Sequence, residues 1–326
     1  MNDPSPSSAL KVISGTNPLR ARATVRDLLN SSGLVMPFLV YDPKHTDLSD
    51  LPKILPFITI KDIRKEAKEI SRLGIRSVKL FAIARHKDRQ ATEATSADNL
   101  CLDAIKAFKD VEPDMCVMTE TCICTYTDTG NCVLTTKDDK LDYQRTIETF
   151  NQYAILQSEG GADVIGPSAM VDGVIPAIRI ALNSNGFRDV SIMPHLIIAS
   201  SLYNIFRRSV GISHIQHSRL SFQIDPKQPR QAIDQAKSFL HEGADMLLLE
   251  PALFILDVVS LVRREVTCPL GAFSVSGEYR LLTGGTIKGI TDQDALLAEF
   301  YSGARRAGTD LLVTYAAKRI ATALQR

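Results

Sequence analysis

Three cysteines lie close together in the sequence, as Cys122, Cys124 and Cys132. The apolar run Cys116–Cys124 predicts a β-strand, and residues two apart on a strand project to the same side. A turn containing Gly130 can bring Cys132 back towards the other two thiols. Three thiolates without a fourth protein ligand suit a zinc ion that keeps one position open, as catalytic zinc does, whereas magnesium prefers oxygen. The alternative for the same pattern is three half-buried thiols.

The overall composition excludes several classes of partner. The 326 residues include 38 basic and 37 acidic side chains, and this balance argues against nucleic acid or an anionic membrane. No apolar run is long enough to span a bilayer, and the amino terminus lacks the charged-then-apolar order of a signal peptide. We therefore expect a cytoplasmic protein. The scattered Cys101, Cys116 and Cys268 are interpreted as core thiols, not as a disulfide framework.

Short apolar segments alternate with amphipathic segments from about residue 35 to the end. The predicted strands are Met36–Tyr41, Val78–Ile83, Cys116–Cys124, Asp163–Ser168, Ser191–Ile198, Met246–Glu250, Leu270–Val275 and Asp310–Tyr315. The amphipathic segments are Asp62–Leu73, Tyr143–Glu159, Arg230–Glu242, Ile255–Glu265 and Asp292–Ala307. This alternation predicts an α/β fold of the (β/α)₈ TIM-barrel type over residues 33–326. A doubly wound open sheet is the alternative, but no Gly-x-Gly-x-x-Gly turn follows the first strand.

Residues 1–32 fall outside the βα alternation and are predicted to form an N-terminal extended arm. The segment Pro18–Leu29 carries Arg20, Arg22 and Arg26 on a predicted helix. We expect the arm to grip another subunit, and a disordered tail is the alternative.

The barrel prediction selects candidate site residues, because active sites of this fold lie at the carboxyl ends of the strands. The polar residues at predicted strand ends are Cys122, Cys124, Ser168, Asp172, His195, Glu250, Ser274, Ser276 and Tyr315.

Several separated motifs then resemble one known family. They are Cys122-Ile123-Cys124-Thr125-Tyr126-Thr127, Gly166-Pro167-Ser168-Ala169-Met170-Val171-Asp172-Gly173, Gln223-Ile224-Asp225-Pro226, Gly243-Ala244-Asp245-Met246, Val275-Ser276-Gly277-Glu278-Tyr279 and Thr314-Tyr315. In this order they resemble porphobilinogen synthase (5-aminolevulinate dehydratase) across nearly the whole chain. The resemblance implies a (β/α)₈ barrel with an N-terminal arm, assembled as a large homo-oligomer. It also implies condensation of two 5-aminolevulinate molecules into a pyrrole, with loss of two waters.

The chain departs from this family where the family anchors its substrates on two lysines as Schiff bases. Glu250 stands at the position of the second lysine. The first position falls on Ile198 when counted from the strand, or on Ile197 when counted back from Tyr203. Neither isoleucine is a nucleophile, and a carboxylate cannot form an imine with a ketone. The covalent mechanism of the family is therefore not expected at these positions.

Other residues that the resemblance associates with the substrate are retained. Arg207 or Arg208, together with Arg219, correspond to the basic flap of the family. The residues that resemble its carboxylate-binding groups are Gln223, Ser276 and Tyr315. The segment Ser168-Ala169-Met170-Val171-Asp172-Gly173-Val174 lacks one acid and one base of the usual family motif.

Two functions follow from these observations. The first is a zinc enzyme that carries out a non-Schiff-base condensation, dehydration or cyclisation of an amino- or keto-acid, within a homo-oligomer of two to eight subunits. Glu250 would be its general base or ammonium site, and His195 would share proton transfer because its intrinsic pKa is near neutrality. The alternative for His195 is a purely structural residue of the barrel interior whose hydrogen bonds are satisfied. The alternative for Glu250 is a buried carboxylate that pairs with an arginine for structure. The second is a catalytically silent homologue with a structural or regulatory role, or a synthase using a displaced lysine such as Lys318.

Overall fold

The protein is described by a computed structural model that covers residues 22–48, 54–212, 222–284 and 292–325. The strands are β1 (Leu34–Val40), β2 (Phe57–Ile58), β3 (Ser77–Ala82), β4 (Cys116–Thr121), β5 (Val164–Pro167), β6 (Ser191–Ile192), β7 (His195–Ile197), β8 (Leu247–Glu250), β9 (Leu270–Ser274) and β10 (Leu311–Thr314). The helices are α1 (Ala23–Leu29), α2 (Ile63–Arg72), α3 (Leu100–Val111), α4 (Tyr143–Glu159), α5 (Val174–Ser184), α6 (Asn204–Ser209), α7 (Pro229–His241), α8 (Leu256–Glu265), α9 (Ser276–Gly284), α10 (Gln293–Ala307) and α11 (Ala317–Leu324).

The strands form one parallel sheet in the order β6-β5-β4-β3-β1-β10-β9-β8-β7, with the short β2 paired to β1. β6 and β7 are two parts of one chain segment that is interrupted at Pro194. On one side of this segment, the amide of Met193 donates to the carbonyl of Ile165 at 2.9 Å; on the other, the amide of Leu248 donates to the carbonyl of Pro194 at 3.1 Å. The segment therefore joins β5 to β8, and the (β/α)₈ barrel prediction is confirmed.

Burial explains why these segments fold as strands and helices. Every residue of β1 and β3 is buried, as expected for parallel strands covered by helices outside and filled by side chains inside. On α2, the buried residues are Ile63, Ala67 and Ile70, whose spacing places them on one face against the barrel. Each fully buried isoleucine of this kind contributes about 1.5–3 kcal/mol to the free energy of folding.

Helix α1 covers the amino-terminal end of the barrel. Val25 and Leu28 are buried in the core. Arg22, immediately before the helix, donates from Nε to Asp189 at 2.9 Å and from Nη1 to the carbonyl of Ala162 at 3.1 Å. The last part of the predicted arm thus packs on the barrel of its own chain, and residues 1–21 lie outside the described residues.

The opposite end of the barrel, where the parallel strands terminate, carries the cavity described below. In the ranges that the structure covers, none of the helices combines the length and apolarity needed to cross a membrane.

Candidate functional site

A cavity of about 810 Å³, including its opening to solvent, lies at the carboxyl ends of the strands. The predicted site residues that line it are Cys122, Cys124, Cys132, Ser168, His195, Arg207, Gln223, Glu250, Ser276 and Tyr315. Asp172 and Ser274, which were also predicted from strand ends, do not line it. Of the two arginines left open by the sequence, Arg207 lines the cavity, whereas Arg208 is exposed and does not. Arg219 lies outside the described residues.

The three clustered cysteines converge on one wall of this cavity. Their sulfur atoms all lie within 4.8 Å of one another. β4 ends at Thr121, so Cys122 and Cys124 lie in the loop after the strand and not on it; the predicted extension of this strand to Cys124 is wrong. A turn in which the amide of Gly130 donates to the carbonyl of Thr127 at 3.2 Å then returns the chain to Cys132.

The chemistry of this donor set suits a soft divalent cation. No disulfide joins any of the six cysteines. Tetrahedral zinc–thiolate geometry needs sulfur atoms roughly 3.8 Å apart, which is within the observed limit. A hydrogen bond with Cys124 and burial hold the pKa of the Cys122 thiol well above its usual value. A bound cation would therefore be needed to keep three neighbouring thiolates ionised.

At the strand ends where the family resemblance places lysines, the structure presents other side chains. Ile197 lines the cavity, and Ile198 is buried in the core. Among the described residues, no lysine lines the cavity. The displaced lysine suggested by the sequence is elsewhere, because Nζ of Lys318 contacts Glu66 at 2.6 Å and Glu69 at 3.0 Å on helix α2.

Glu250 and His195 form a buried pair. Nδ1 of His195 lies 3.0 Å from Oε1 of Glu250, with the donor set by the histidine tautomer. Burial raises the pKa of Glu250 to about 7, while Lys79 and Arg207 oppose the shift. Burial, assisted by Lys79, lowers the pKa of His195 to about 3, against the effect of Glu120. Burial thus favours the neutral imidazole of His195, and Glu250 is the member of the pair whose pKa suits proton transfer at neutral pH.

Two charged residues behind this pair were missed by the sequence-based prediction. Lys79 on β3 is fully buried, and its Nζ lies 3.1 Å from Oε2 of Glu120 at the end of β4. The Glu120 carboxylate also lines the cavity and lies 3.7 Å from Nε2 of His195. The sequence did contain an indication of this pair, because Lys79 lies inside the apolar predicted strand Val78–Ile83. A charged residue at such a position needs a partner inside the barrel.

The other side of the cavity offers hydrogen-bond donors for an anion. The guanidinium of Arg207 lies over the ring of Tyr203 at 5.3 Å from its centroid, which orients the arginine. The hydroxyl of Tyr315 is buried and has no hydrogen-bond partner among the described residues. Because Oγ of Ser276 accepts from the amide of Phe206 at 3.0 Å, its own proton remains to be donated.

Comparisons with known proteins bear on the identity of this barrel. The family model for delta-aminolevulinic acid dehydratase matches residues 14–323. The chain belongs to the delta-aminolevulinic acid dehydratase family. The dehydratase of Escherichia coli is 34% identical over 296 residues, which covers 90% of each chain. The dehydratase of Halalkalibacterium halodurans is 32% identical over 311 residues, which covers 93% of this chain and 94% of that one.

A solved structure of a family member agrees with this assignment. Delta-aminolevulinic acid dehydratase (porphobilinogen synthase) of Toxoplasma gondii, in complex with the reaction product porphobilinogen, superposes with a TM-score of 0.83. It is 29% identical, and the superposition covers 98% of this chain and 91% of that chain. The resemblance inferred from the motifs is therefore confirmed. Within the dehydratase family, this chain combines a cysteine cluster with isoleucine and glutamate at the two expected lysine positions.

Proposed function

We propose that this chain is a zinc-dependent lyase of the dehydratase family that condenses or cyclises an amino- or keto-acid with loss of water and without a Schiff base. A specialised biosynthetic pathway is its proposed setting. The observation that carries the proposal is the composition of one cavity: it retains three cysteines and an anion-binding side, whereas no lysine among the described residues reaches its wall. If catalysis had been lost, sequence drift would not be expected to spare the cysteines and the anion-binding side while it removed the lysines.

The anion-binding side would hold the carboxylate of the substrate. The planar guanidinium of Arg207 suits a bidentate contact with a carboxylate, and Gln223, Ser276 and Tyr315 line the same cavity with neutral hydrogen-bonding groups. Because several donors converge on one group, the substrate would be oriented without a covalent anchor.

Proton transfer is assigned to Glu250. A C–N bond would form between the substrate amine and a ketone carbon, and the C–O bond of that ketone would break, which gives an imine within the substrate and not with a lysine of the protein. The Glu250 carboxyl group would relay, one after the other, the two protons that the amine loses to the ketone oxygen, which leaves as water. His195, neutral and 3.0 Å away, would keep the carboxyl group in position. A zinc ion held by Cys122, Cys124 and Cys132 would supply Lewis-acid polarisation of a substrate oxygen.

The test uses zinc-loaded protein incubated with 5-aminolevulinate and with a panel of amino- and keto-acids. We expect a product lighter than its precursors by one or more waters, detected by mass spectrometry, and no adduct after borohydride reduction. Glu250→Gln should lower the rate at least about 100-fold, while the exposed Glu265→Gln should not. Full activity of Glu250→Gln would remove this residue from the mechanism.

A synthase with a displaced lysine is the second candidate, and the buried amine of Lys79 favours it over other lysines of the described chain, because Lys79 contacts the site residue Glu120. A borohydride-trapped adduct on Lys79 would support that candidate. Absence of zinc together with no thermal stabilisation by any acid in the panel would instead support a catalytically silent homologue.

We further propose a cytoplasmic homo-oligomer in which residues 1–32 act as an inter-subunit arm. The family resemblance supports this assembly. The burial of Val25 and Leu28 in the core of their own chain is consistent with an arm that starts from this barrel.

A further inference from the structure

We propose that Lys79 is a positioning residue of the site: its buried ammonium group holds the Glu120 carboxylate and thereby keeps His195 neutral and hydrogen-bonded to Glu250. The inference deepens the proposed function and rests on it, since the state of Glu250 matters only if the cavity carries out chemistry.

The surroundings of Lys79 are those of a fixed cation. Its side chain has no exposed surface. Nζ donates to the carbonyl of Thr119 at 2.9 Å and lies 3.1 Å from Oε2 of Glu120. A buried charge is retained only when it is paired in this way. An amine held as the cation of an ion pair, below the cavity wall, is poorly placed to attack a substrate carbonyl.

From Lys79 the polar contacts continue across the inside of the barrel. Oε2 of Glu120 lies 3.7 Å from Nε2 of His195, and Nδ1 of His195 lies 3.0 Å from Oε1 of Glu250. The four side chains come from β3, β4, β7 and β8. The chain of contacts therefore links a residue outside the cavity wall to the proposed proton-transfer group.

The neighbouring strand β5 leaves room for this arrangement at Gly166. A Cβ at that position would lie 2.8 Å from Nζ of Lys79 and 3.4 Å from Nε2 of His195. It would also lie 2.5 Å from the carbonyl oxygen of Thr119, to which Lys79 is bonded. A side chain at this position would therefore crowd the lysine, the histidine and the Thr119 carbonyl, so these groups would have to move.

The charges around His195 explain the effect of the lysine. Lys79 faces it from β3, Glu120 from β4 and Glu250 from β8, and Arg207 from α6 acts on Glu250. With Lys79 in place, the negative charge of Glu120 is compensated and burial keeps the imidazole neutral. Without the lysine, an uncompensated carboxylate would favour the imidazolium.

The test is the protonation of His195 in the zinc-loaded, substrate-free full chain. Solid-state nitrogen NMR of histidine-labelled protein would report it, with the His195 signals assigned by their loss in His195→Gln. In the wild type we expect a neutral ring at every pH at which the protein is folded. In Lys79→Met an imidazolium form should appear within that pH range, because the proton affinity should rise at least about 100-fold, and adding Glu120→Gln should reverse the rise.

Several outcomes would overturn the inference. They are an unchanged titration in Lys79→Met, an equal rise in the double variant, or a borohydride adduct of 5-aminolevulinate on Lys79. If Lys79→Met does not fold, rescue of folding by Glu120→Gln supports the charge role, and failure of the double variant to fold contradicts it. Because no substrate is added in the titration, a protein without activity would overturn the proposed function and leave this result unaffected.

Discussion

Glu250 occupies a strand end at which the family resemblance places an amine, and the environment of this side chain determines what it can do. It is 6% exposed and lies against a neutral imidazole. Burial raises the pKa of Glu250 to about 7, so both protonation states are accessible at neutral pH. An exposed carboxylate would be almost fully ionised at that pH and would be a weaker base.

The raised pKa of Glu250 predicts a pH dependence of stability. Between the ordinary value of 4.5 and the folded value of about 7, Glu250 binds more protons in the folded state than in the unfolded state, so its contribution to the free energy of unfolding falls as pH rises. The lowered pKa of His195 has the opposite effect over the lower part of this range, and this effect is common to the wild type and the variant below. The loss should be on the order of 3 kcal/mol by pH 8. The variant Glu250→Gln removes the titrating group and therefore this loss of stability. The free energy of unfolding, measured with urea at pH 5 and pH 8, should therefore fall less in this variant than in the wild type.

The exposed Glu265→Gln is the control for that measurement. A hydrogen bond from Lys237 lowers the pKa of Glu265, so its removal should leave the decline above pH 5 nearly unchanged. Equal slopes for wild type and Glu250→Gln would show that the carboxyl group of Glu250 is not buried as described.

The cysteine cluster predicts a second effect at the level of single residues. Cys132→Ser removes one of three thiolate ligands, and serine is a poor ligand for zinc. We expect the zinc affinity, measured by competition with a chromophoric chelator, to fall at least about 100-fold. Cys268→Ala changes a buried cysteine outside the cluster and should bind zinc as the wild type does. Equal affinities of the two variants would contradict the assignment of Cys132.

At the level of secondary-structure elements, the site depends on how closely β3, β4 and β5 approach one another. β4 pairs with β3 and with β5 in parallel register, with Glu120 opposite Gly166. Side chains from neighbouring strands therefore compete for the same interior space, and a small residue on one strand permits a large one on the next.

Gly166→Ala tests this packing. The added Cβ would lie 2.5 Å from the backbone oxygen of Thr119 and 2.8 Å from Nζ of Lys79, so atoms must move. We expect a destabilisation of about 1–3 kcal/mol, measured by urea unfolding. Gly303→Ala is the matched control, because its Cβ would have nothing nearer than 3.7 Å, at Leu256. Because Gly303 lies within helix α10, its replacement by alanine should stabilise the protein by about 0.5–1 kcal/mol. If Gly166→Ala and Gly303→Ala changed the free energy of unfolding in the same direction, the packing described for β5 would be contradicted.

At the level of the whole molecule, the N-terminal segment has two parts with different expected roles. Residues 22–29 close the barrel of their own chain through Arg22, Val25 and Leu28. Residues 1–21 are proposed to contact another subunit.

Deletion of residues 1–21 should therefore leave each barrel folded but reduce the number of subunits, because the contacts of Arg22, Val25 and Leu28 are retained. Analytical ultracentrifugation would measure the mass of the assembly, and thermal unfolding would report the barrel. Deletion of residues 1–29 is the comparison: it removes two buried apolar side chains and should cost about 3–6 kcal/mol of stability. An assembly of unchanged mass after the shorter deletion would exclude the arm as an inter-subunit contact.

The sequence alone determined the barrel, because its signals are local. Apolar runs and amphipathic periodicity depend only on neighbours along the chain, and together they predicted all the main strands as well as helix Tyr143–Glu159 with the same bounds as α4. Strand ends in a parallel barrel share one face, so the strand pattern by itself was enough to group the cysteine cluster, Glu250 and Tyr315 at one site.

Tertiary structure alone decided the contacts inside that site. The side chain of Ile197 lines the cavity whereas that of Ile198 is buried in the core, and the two could not be told apart from the sequence. The partners of Lys79 likewise depend on closure of the barrel. Lys79 and Glu120 are far apart in the sequence and meet only because β3 and β4 are paired in one register. The pKa values of His195 and Glu250 depend on burial, a property of the assembled core that no local pattern of residues encodes.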